Sequence, residues 1–264
     1  MGSLKQAVWA LLGPGSFEEV DVARAVLPRA EGLMVDVGAH RGFAHGPFAD
    51  EGWRVIAMEP DPANRSYLVE AARPTVEIDS RAITDTDGQT LTLYTSEVSS
   101  GISTLAAFHE SHTAGVEVET VRLDTLLADH GKPHVDFLKV DTEGFDLFVL
   151  RTFDWERDRP EVVVCEFEDR KTVPLGYTYR DMGDFLAERG YTVLMSEWFP
   201  IVEYGQAHRW RRIVPYPAEL QDPNGWGNFI AVRPDLARRT LRTARRAGRR
   251  LRFRRGVLRM LRRD

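Results

Sequence analysis

The chain has 264 residues, 43% of them hydrophobic, and a formal net charge of −5. This length and composition allow a full hydrophobic core and predict one α/β domain with additions rather than two equal domains. A single cysteine, Cys165, excludes an internal disulfide, and its apolar setting in VVVCEF predicts an inert core thiol.

The charge is unevenly distributed along the chain. Residues 238–264 contain 13 arginines and one acid, a net charge of +12, whereas residues 1–237 contain 22 basic and 39 acidic residues, a net charge of −17. No run of about 18 apolar residues occurs, and the N-terminal apolar stretch is too short for a convincing signal peptide. We therefore expect a cytoplasmic protein whose two parts face different partners.

Apolar periodicity predicts two lead-in helices in residues 1–30 and a main domain in residues 31–234. Strands are predicted at residues 33–37, 54–58, 76–78, 90–95, 116–121, 135–140, 161–167, 191–195 and 228–232, and residues 82–88 are predicted to be a strand end followed by a turn. Helical segments separate several of these strands. The alternation predicts a doubly wound, mostly parallel sheet with helices on both faces and a ligand crevice at the carboxyl ends of the strands.

The stretch LMVDVGAHRG, residues 33–42, predicts a buried strand that enters a tight loop. Glu59 follows the next strand and is placed to accept hydrogen bonds from a ribose diol. His40 stands where a second glycine would admit a pyrophosphate, which favours a ligand with adenosine but no phosphate, such as S-adenosylmethionine. The alternative is a structural turn in an α/β domain that binds no ligand.

An acidic cluster occurs in LKVDTEGFD, residues 138–146. Asp36, Glu59, Asp141 and Glu166 are all expected near strand ends on one edge of the sheet. Several carboxylates at one edge indicate a metal, a bound polar substrate or mutual pairing, because an unpaired buried carboxylate is costly. The alternative is a salt bridge from Lys139, with Glu143 as an ordinary acid near a helix start.

Together, VDVGAHRG, AMEPDPANRSYL, AITDTDG, RLDTLL, VDFLKVDTEGFDLFVL, VVVCEFE and GNFIAV resemble the FkbM family of S-adenosylmethionine-dependent methyltransferases, over about residues 33–232. The resemblance implies a Rossmann-like methyltransferase fold and O-methylation of a sugar, oligosaccharide or glycolipid hydroxyl. Asp146 stands where the family more usually has a glutamate, and His40 and Arg41 also depart from its pattern.

The resemblance also implies a cofactor site. It assigns the methionine part of the cofactor to the glycine loop, the ribose to Glu59, and the adenine to the segment after the third strand. The residues so assigned are Asp36, Gly38, Ala39, His40, Gly42, Glu59, Ser80, Arg81 and Ala82. For Arg81, a solvated surface position is the alternative.

Methyl transfer to a hydroxyl needs a base or a metal, because a protonated alcohol is a poor nucleophile. Our catalytic candidates are Asp141, Glu143, Lys139, His109 and His112, the two histidines at a spacing that would place them on one helix face. By analogy with catechol-type methyltransferases, Mg²⁺ could bind at Asp141 with Glu166, Glu168 or Asp169.

The aromatic residues of segment 198–227 suggest a substrate lid for a carbohydrate, with a packed cap or a contact in a homo-oligomer as the alternative. Residues 235–264 predict a basic amphipathic helix for an anionic membrane surface at the inner face of the membrane; nucleic acid is less favoured. A solvated extension and docking onto the acidic body are the alternatives. The alternative function is a catalytically silent cofactor-binding or scaffold module that is recruited to membranes by its basic tail, and a dehydrogenase is the third hypothesis.

Overall fold

The protein is described by a computed structural model that covers residues 17–27, 31–71 and 73–260. The first predicted lead-in helix lies outside the described residues, and the second is Glu19–Val26 (α1). None of the described helices is long and apolar enough to cross a membrane.

Eight strands form the central sheet. They are Leu33–Val37 (β1), Arg54–Met58 (β2), Val76–Asp79 (β3), Phe137–Val140 (β7), Val162–Glu168 (β8), Thr192–Trp198 (β9), Trp210–Pro215 (β10) and Trp226–Val232 (β11). Their order in the sheet is β10-β9-β11-β8-β7-β1-β2-β3. Neighbours from β8 to β3 pair in parallel, whereas β11 runs antiparallel to β8 and β9, and β10 runs antiparallel to β9. The sheet is therefore mixed but mostly parallel, as predicted.

A smaller sheet lies between β3 and β7 along the chain. It consists of Ala82–Ile83 (β4), Thr90–Ser96 (β5) and His112–Val121 (β6), in the order β4-β6-β5. His112 begins a strand, so the predicted helix carrying His109 and His112 is wrong. Alternate side chains of β6 face opposite sides, and only the last part of this strand is buried, which explains its polar sequence.

Helices cover both faces of the central sheet. The remaining helices are Gly46–Asp50 (α2), Pro62–Ala71 (α3), Leu123–Asp129 (α4), Asp146–Thr152 (α5), Asp169–Thr172 (α6), Tyr179–Glu188 (α7) and Ala237–Met260 (α8). On one face α4, α5 and α7 bury their apolar residues, and on the other face α1, α2, α3 and α8 do so. This doubly wound arrangement confirms the predicted fold class.

The edge strand β10 was not predicted, and it changes the interpretation of segment 198–227. Trp210 in this strand is only 2% exposed and stacks on Phe17 with ring centroids 4.4 Å apart. The α8 helix packs against the same ring, since a Cβ added at Gly248 would lie 2.4 Å from it. Trp210 is therefore part of the core, and the predicted lid is restricted to the connections 199–209 and 216–225.

The arginine-rich C-terminal segment docks on the body of the protein. Ala244 and Leu251 are buried with the apolar residues of α1, and the Arg239 guanidinium donates to the backbone carbonyl of Ala25 at 2.8 Å. The prediction of a basic amphipathic helix agrees with α8. A solvated extension is excluded for residues 237–255, because the apolar face of the helix packs on the domain.

Candidate active site

Two loops from adjacent strands meet at the centre of the carboxyl edge. Gly38 follows β1 with φ of 75°, and a Cβ at this position would lie 1.8 Å from the backbone oxygen of Asp141, which follows β7. The Asp141 amide donates to Val37 at 3.0 Å. Only glycine has both the conformational freedom and the small size for this contact, so the loop sequence follows directly from the close approach.

Asp36 and Lys139 support these loops from below. The fully buried Asp36 carboxylate contacts His45 Nδ1 at 2.7 Å and Lys139 Nζ at 3.2 Å, and Lys139 Nζ also donates to the Gly38 carbonyl at 2.7 Å. Burial alone would raise the pKa of Asp36, but Lys139 and His45 outweigh it and lower the pKa. Asp36 is therefore a buried anion that fixes the loop from beneath and does not line the cavity above it.

A cavity of about 190 Å³ opens beyond β1 and β2. Its apolar wall is formed by Met58, Ile83, Leu93, Leu105 and Phe145. Glu59 lies on the polar side, where its carboxylate accepts hydrogen bonds from the backbone amides of His40 at 2.6 Å and Asp61 at 2.9 Å. Burial raises the pKa of Glu59 to about 7. An acceptor of this kind beside an apolar wall suits a nucleoside, whose ribose is polar and whose base is flat.

The small sheet and the segment after β5 cover this cavity. His40 Nε2 lies 3.0 Å from Ser100 Oγ, and the Asn64 amide donates to the Ser100 carbonyl at 2.8 Å. Asn64 is 2% exposed, and its Oδ1 has no hydrogen-bond partner among the described residues. Since Asn64 lines the cavity, its orphaned oxygen is available to a donor on a bound ligand.

The predicted cofactor residues are distributed around this cavity in different ways. Gly38, His40, Glu59, Arg81 and Ala82 line it. Ala39 lines the neighbouring cleft, Gly42 packs against His45 and Leu68, and Ser80 is exposed. Direct contact with a nucleoside in this cavity is therefore not supported for Asp36, Ala39, Gly42 or Ser80.

Arg81 is held in place at the far end of the cavity. Its guanidinium contacts Asp79 at 2.8 Å and Asp129 at 3.0 Å. The alternative that Arg81 is a solvated surface residue does not hold, because the side chain is only 25% exposed and ion-paired.

Lys171 occupies the middle of the acidic cluster predicted from LKVDTEGFD and VVVCEFE. Its ammonium lies 2.5 Å from Glu143, 2.8 Å from Glu166 and 2.9 Å from Glu168. Burial would lower the pKa of Lys171, but the three carboxylates outweigh it and raise the pKa. Burial also raises the pKa of Glu143 to about 7 and that of Glu166 well above its usual range, since one ammonium cannot balance all these acids.

The carboxylates could also surround a metal ion. Ligand atoms of Asp141, Glu143 and Glu166 lie within 4.8 Å of one another. Asp169 does not belong to this group, because its Oδ1 accepts from the Tyr179 amide at 2.7 Å, at the start of α7. Asp169 is therefore removed from the predicted metal ligands. Glu168 is not a member of this group of three, and its carboxylate lies 2.9 Å from the Lys171 ammonium.

The two histidines organise a turn instead of facing the cleft. His112 Nδ1 accepts from the backbone amides of Phe108 and His109, and its Nε2 lies 2.9 Å from the Ile102 carbonyl. His109 Nδ1 lies 2.7 Å from Ser111 Oγ. Neither histidine lines the cavity or the two clefts described next, so the geometry does not favour either as a base.

Two open clefts lie on the other side of the glycine loop. One, of about 600 Å³, is lined by residues at the start of α1 together with Lys139 and Asn228. The other, of about 480 Å³, is lined by Glu166, Trp198, Gln206, His208 and Trp226, among others. Asp141 lines the cavity and both clefts, and its side chain is 37% exposed. A group bound in the cavity and a group bound in either cleft would therefore meet at Asp141.

Lys171, Asn64 and the serine and threonine residues of segment 100–104 were not identified from the sequence. Lys171 stands in EDRKT, where a lysine is expected to be solvated. Asn64 follows Glu59 by five residues in EPDPAN, and its place at the start of α3 was the one available signal. Cys165 is buried and free, with the pKa of its thiol raised by burial, consistent with a core residue.

A mostly parallel sheet with a glycine loop after β1 and an acid after β2 defines a Rossmann-like class of nucleoside-binding protein. The family described as "Methyltransferase FkbM domain" matches residues 36–193, more than half of the chain. The chain therefore belongs to the FkbM family of S-adenosylmethionine-dependent methyltransferases. No curated protein matches the chain.

Solved methyltransferase structures resemble the chain more distantly. The C-terminal domain of precorrin-6Y C5,15-methyltransferase from Rhodobacter capsulatus is 15% identical, with a TM-score of 0.43, over 84% of this chain and 99% of that chain. A SAM-dependent methyltransferase from Aquifex aeolicus is 11% identical, with a TM-score of 0.39, over 86% of this chain and 96% of that chain. Because these scores are low, the family assignment depends on the sequence match.

Proposed function

We propose that this methyltransferase acts on a hydroxyl oxygen of a sugar, oligosaccharide or glycolipid. The observation that carries the proposal is the position of Asp141, where the nucleoside-sized cavity meets two open clefts. A half-exposed carboxylate at that junction can contact an acceptor while a cofactor occupies the cavity.

The residues around the cavity suit S-adenosylmethionine. Glu59 offers carboxylate oxygens to the ribose diol, the apolar wall suits the adenine ring, and the orphaned Asn64 oxygen can accept a further hydrogen bond. Bound S-adenosylmethionine would supply an electrophilic methyl group. No phosphate subsite is needed, which agrees with the His40 side chain in the glycine loop.

The second cleft suits a carbohydrate acceptor. Trp198 and Trp226 line it with ring centroids 5.3 Å apart, and Gln206, His208 and Asn228 add hydrogen-bonding groups. Sugars present apolar ring faces edged with hydroxyls, so aromatic and amide side chains in one cleft complement both parts. The composition of the cleft therefore supports a sugar rather than a purely apolar acceptor.

Asp141 is the general base in this proposal. Its carboxylate takes the proton from the acceptor hydroxyl as that oxygen takes up the methyl group, because the neutral hydroxyl is otherwise a poor nucleophile. Lys139 Nζ lies 3.5 Å from the Asp141 carboxylate and holds it at the junction of the cavity and the clefts. Glu143 is held by Lys171 and serves the structure of the cluster.

Assistance by Mg²⁺ remains an alternative to this base. A divalent ion at Asp141, Glu143 and Glu166 would have to share these carboxylates with the Lys171 ammonium, which already lies 2.8 Å from Glu166. We favour the ammonium as the resident cation of the cluster, because a like charge at this distance would repel a metal ion strongly.

The experiment measures S-adenosylhomocysteine formation with a panel of mono- and oligosaccharides and glycolipids, with Mg²⁺ or with a chelator. We expect turnover that survives chelation and falls about 10²–10⁴-fold in Asp141→Asn. Binding of S-adenosylmethionine, measured by calorimetry, should change little in this variant. Unchanged turnover in Asp141→Asn would remove the proposed base, and cofactor binding without turnover on any acceptor would favour the silent binding module.

A further inference from the structure

The outer face of α8 is a dense row of arginines. Eight of them are exposed between residues 238 and 252, namely Arg238, Arg239, Arg242, Arg245, Arg246, Arg249, Arg250 and Arg252. No salt bridge within the described part of the chain joins any of these eight to a carboxylate. At 1.5 Å per residue the row is about 21 Å long.

The inner face of the same helix is already used by the fold. Thr240 and Ala244 are fully buried, Leu251 is 3% exposed, and Gly248 touches the Trp210 ring. The Arg255 guanidinium donates to the Trp210 carbonyl at 3.1 Å. The apolar face of α8 therefore cannot enter a bilayer without leaving the core, and any partner of this helix must bind its charged face.

Phe253 is a large apolar residue that lies among the arginines in the described part of α8. It is 70% exposed, and it follows Arg249 by four residues and Arg250 by three, which places it on the same helix face. Helices that lie on membranes combine Lys and Arg with Trp, Phe and Leu, and the exposed Phe253 ring supplies an apolar group that can enter the headgroup region.

The position of α8 links this face to the acceptor side of the protein. α8 packs along α1, where Arg239 contacts Ala25, and Glu18 and Glu19 at the start of α1 line both clefts. The helix that carries the arginines is therefore a neighbour of the helix whose start lines the clefts.

We propose that the exposed arginines of α8, with Phe253, form a docking surface for anionic phospholipid membranes. The contact is electrostatic, because the apolar side of the helix is occupied, and it is reversible by salt. It neither requires nor presupposes methyl transfer, so the test below measures membrane binding alone.

The test compares cosedimentation of the full chain with phosphatidylglycerol-containing vesicles and with pure phosphatidylcholine vesicles. We expect binding to the anionic vesicles only, and release near 1 M salt, where the Debye length is about 3 Å. Neutralising Arg245, Arg246, Arg249 and Arg250 to Gln should weaken partitioning about fivefold for each arginine, on the order of several hundredfold together.

Two matched variants make the result specific. Substituting the same four arginines by Lys keeps the charge and should keep the binding, whereas Phe253→Ser should weaken it with the charge unchanged. All substituted side chains are exposed, so the thermal unfolding midpoint should stay that of the parent protein. Equal binding to both kinds of vesicle, no binding to either, or parental binding by the Gln variant would overturn the proposal. Tighter binding to duplex DNA than to anionic vesicles at equal salt would assign the surface to nucleic acid instead.

Discussion

Replacing Lys171 by Met tests whether an ammonium is the resident cation of the acidic cluster. The side chain is 2% exposed and contacts three carboxylates within 2.9 Å. Removing one partner of a buried ion pair costs about 3–5 kcal/mol, because charge is left uncompensated. We expect a loss of this size in the free energy of unfolding at pH 8, measured with urea. The loss should shrink toward pH 5, where the carboxyls can take up protons instead.

The same variant should gain a response to divalent cations. With the ammonium gone, Asp141, Glu143 and Glu166 can share one ion, and a cation at 100 times its Kd would restore about 2.7 kcal/mol. Arg170→Met is the matched control, since it removes an exposed positive charge from the neighbouring position. Two results would refute the reasoning: Lys171→Met as stable as this control, or a parent protein that Mn²⁺ stabilises as much as the variant.

Two further predictions concern the backbone and a buried acid. Gly38→Ala should lower the free energy of unfolding by about 2–4 kcal/mol and weaken S-adenosylmethionine binding. Gly88 also has a positive φ, but a Cβ added there has nothing within 4 Å, so Gly88→Ala should lower the free energy of unfolding by about 1 kcal/mol. Equal losses for the two variants in urea unfolding would contradict the close-contact argument. Burial raises the pKa of Glu19 to about 7 from 4.5, so the folded state holds a proton that the unfolded chain releases, and stability is lost as pH rises through this window. Relative to Glu19→Gln, the parent protein should lose up to about 3 kcal/mol between pH 4.5 and 7 in urea titrations, and parallel pH profiles would show that Glu19 does not titrate there.

The central strands were predictable because their sequences are apolar on both faces. Arg54–Met58 forms β2 with the expected bounds, and β1, β7 and β8 lie within two residues of theirs. The edge strand β10 has the sequence WRRIVP, whose arginines pair with the buried Glu197 at 3.1 and 2.6 Å. A strand whose polar side chains pair with another strand lacks the local apolar pattern of a central strand. The sequence therefore predicts a lid for this segment instead of a strand.

The site was predictable where a residue's role follows from the strand it ends. Glu59 and Asp141 lie where parallel strands must bring them, at one edge of the sheet. Lys171 was missed because its three partners come from two separate segments, the loop after β7 and the end of β8, and only the fold brings these segments together. For His109 and His112 the sequence predicted a shared site that the structure does not form. A spacing of three residues fits one helix face, but it fits a turn before a strand equally well.

The close contact between Gly38 and Asp141 also has a dynamic consequence. A Cβ at Gly38 would not fit between the two loops. Two hydrogen bonds also join them, one from the Asp141 backbone amide to the Val37 carbonyl and one from Lys139 Nζ to the Gly38 carbonyl. The floor of the cofactor cavity and the proposed base therefore move as one body, with no hinge between them. The covering segment at 99–105 lies outside this body, so its amides should exchange with solvent faster than those of β1 and β7.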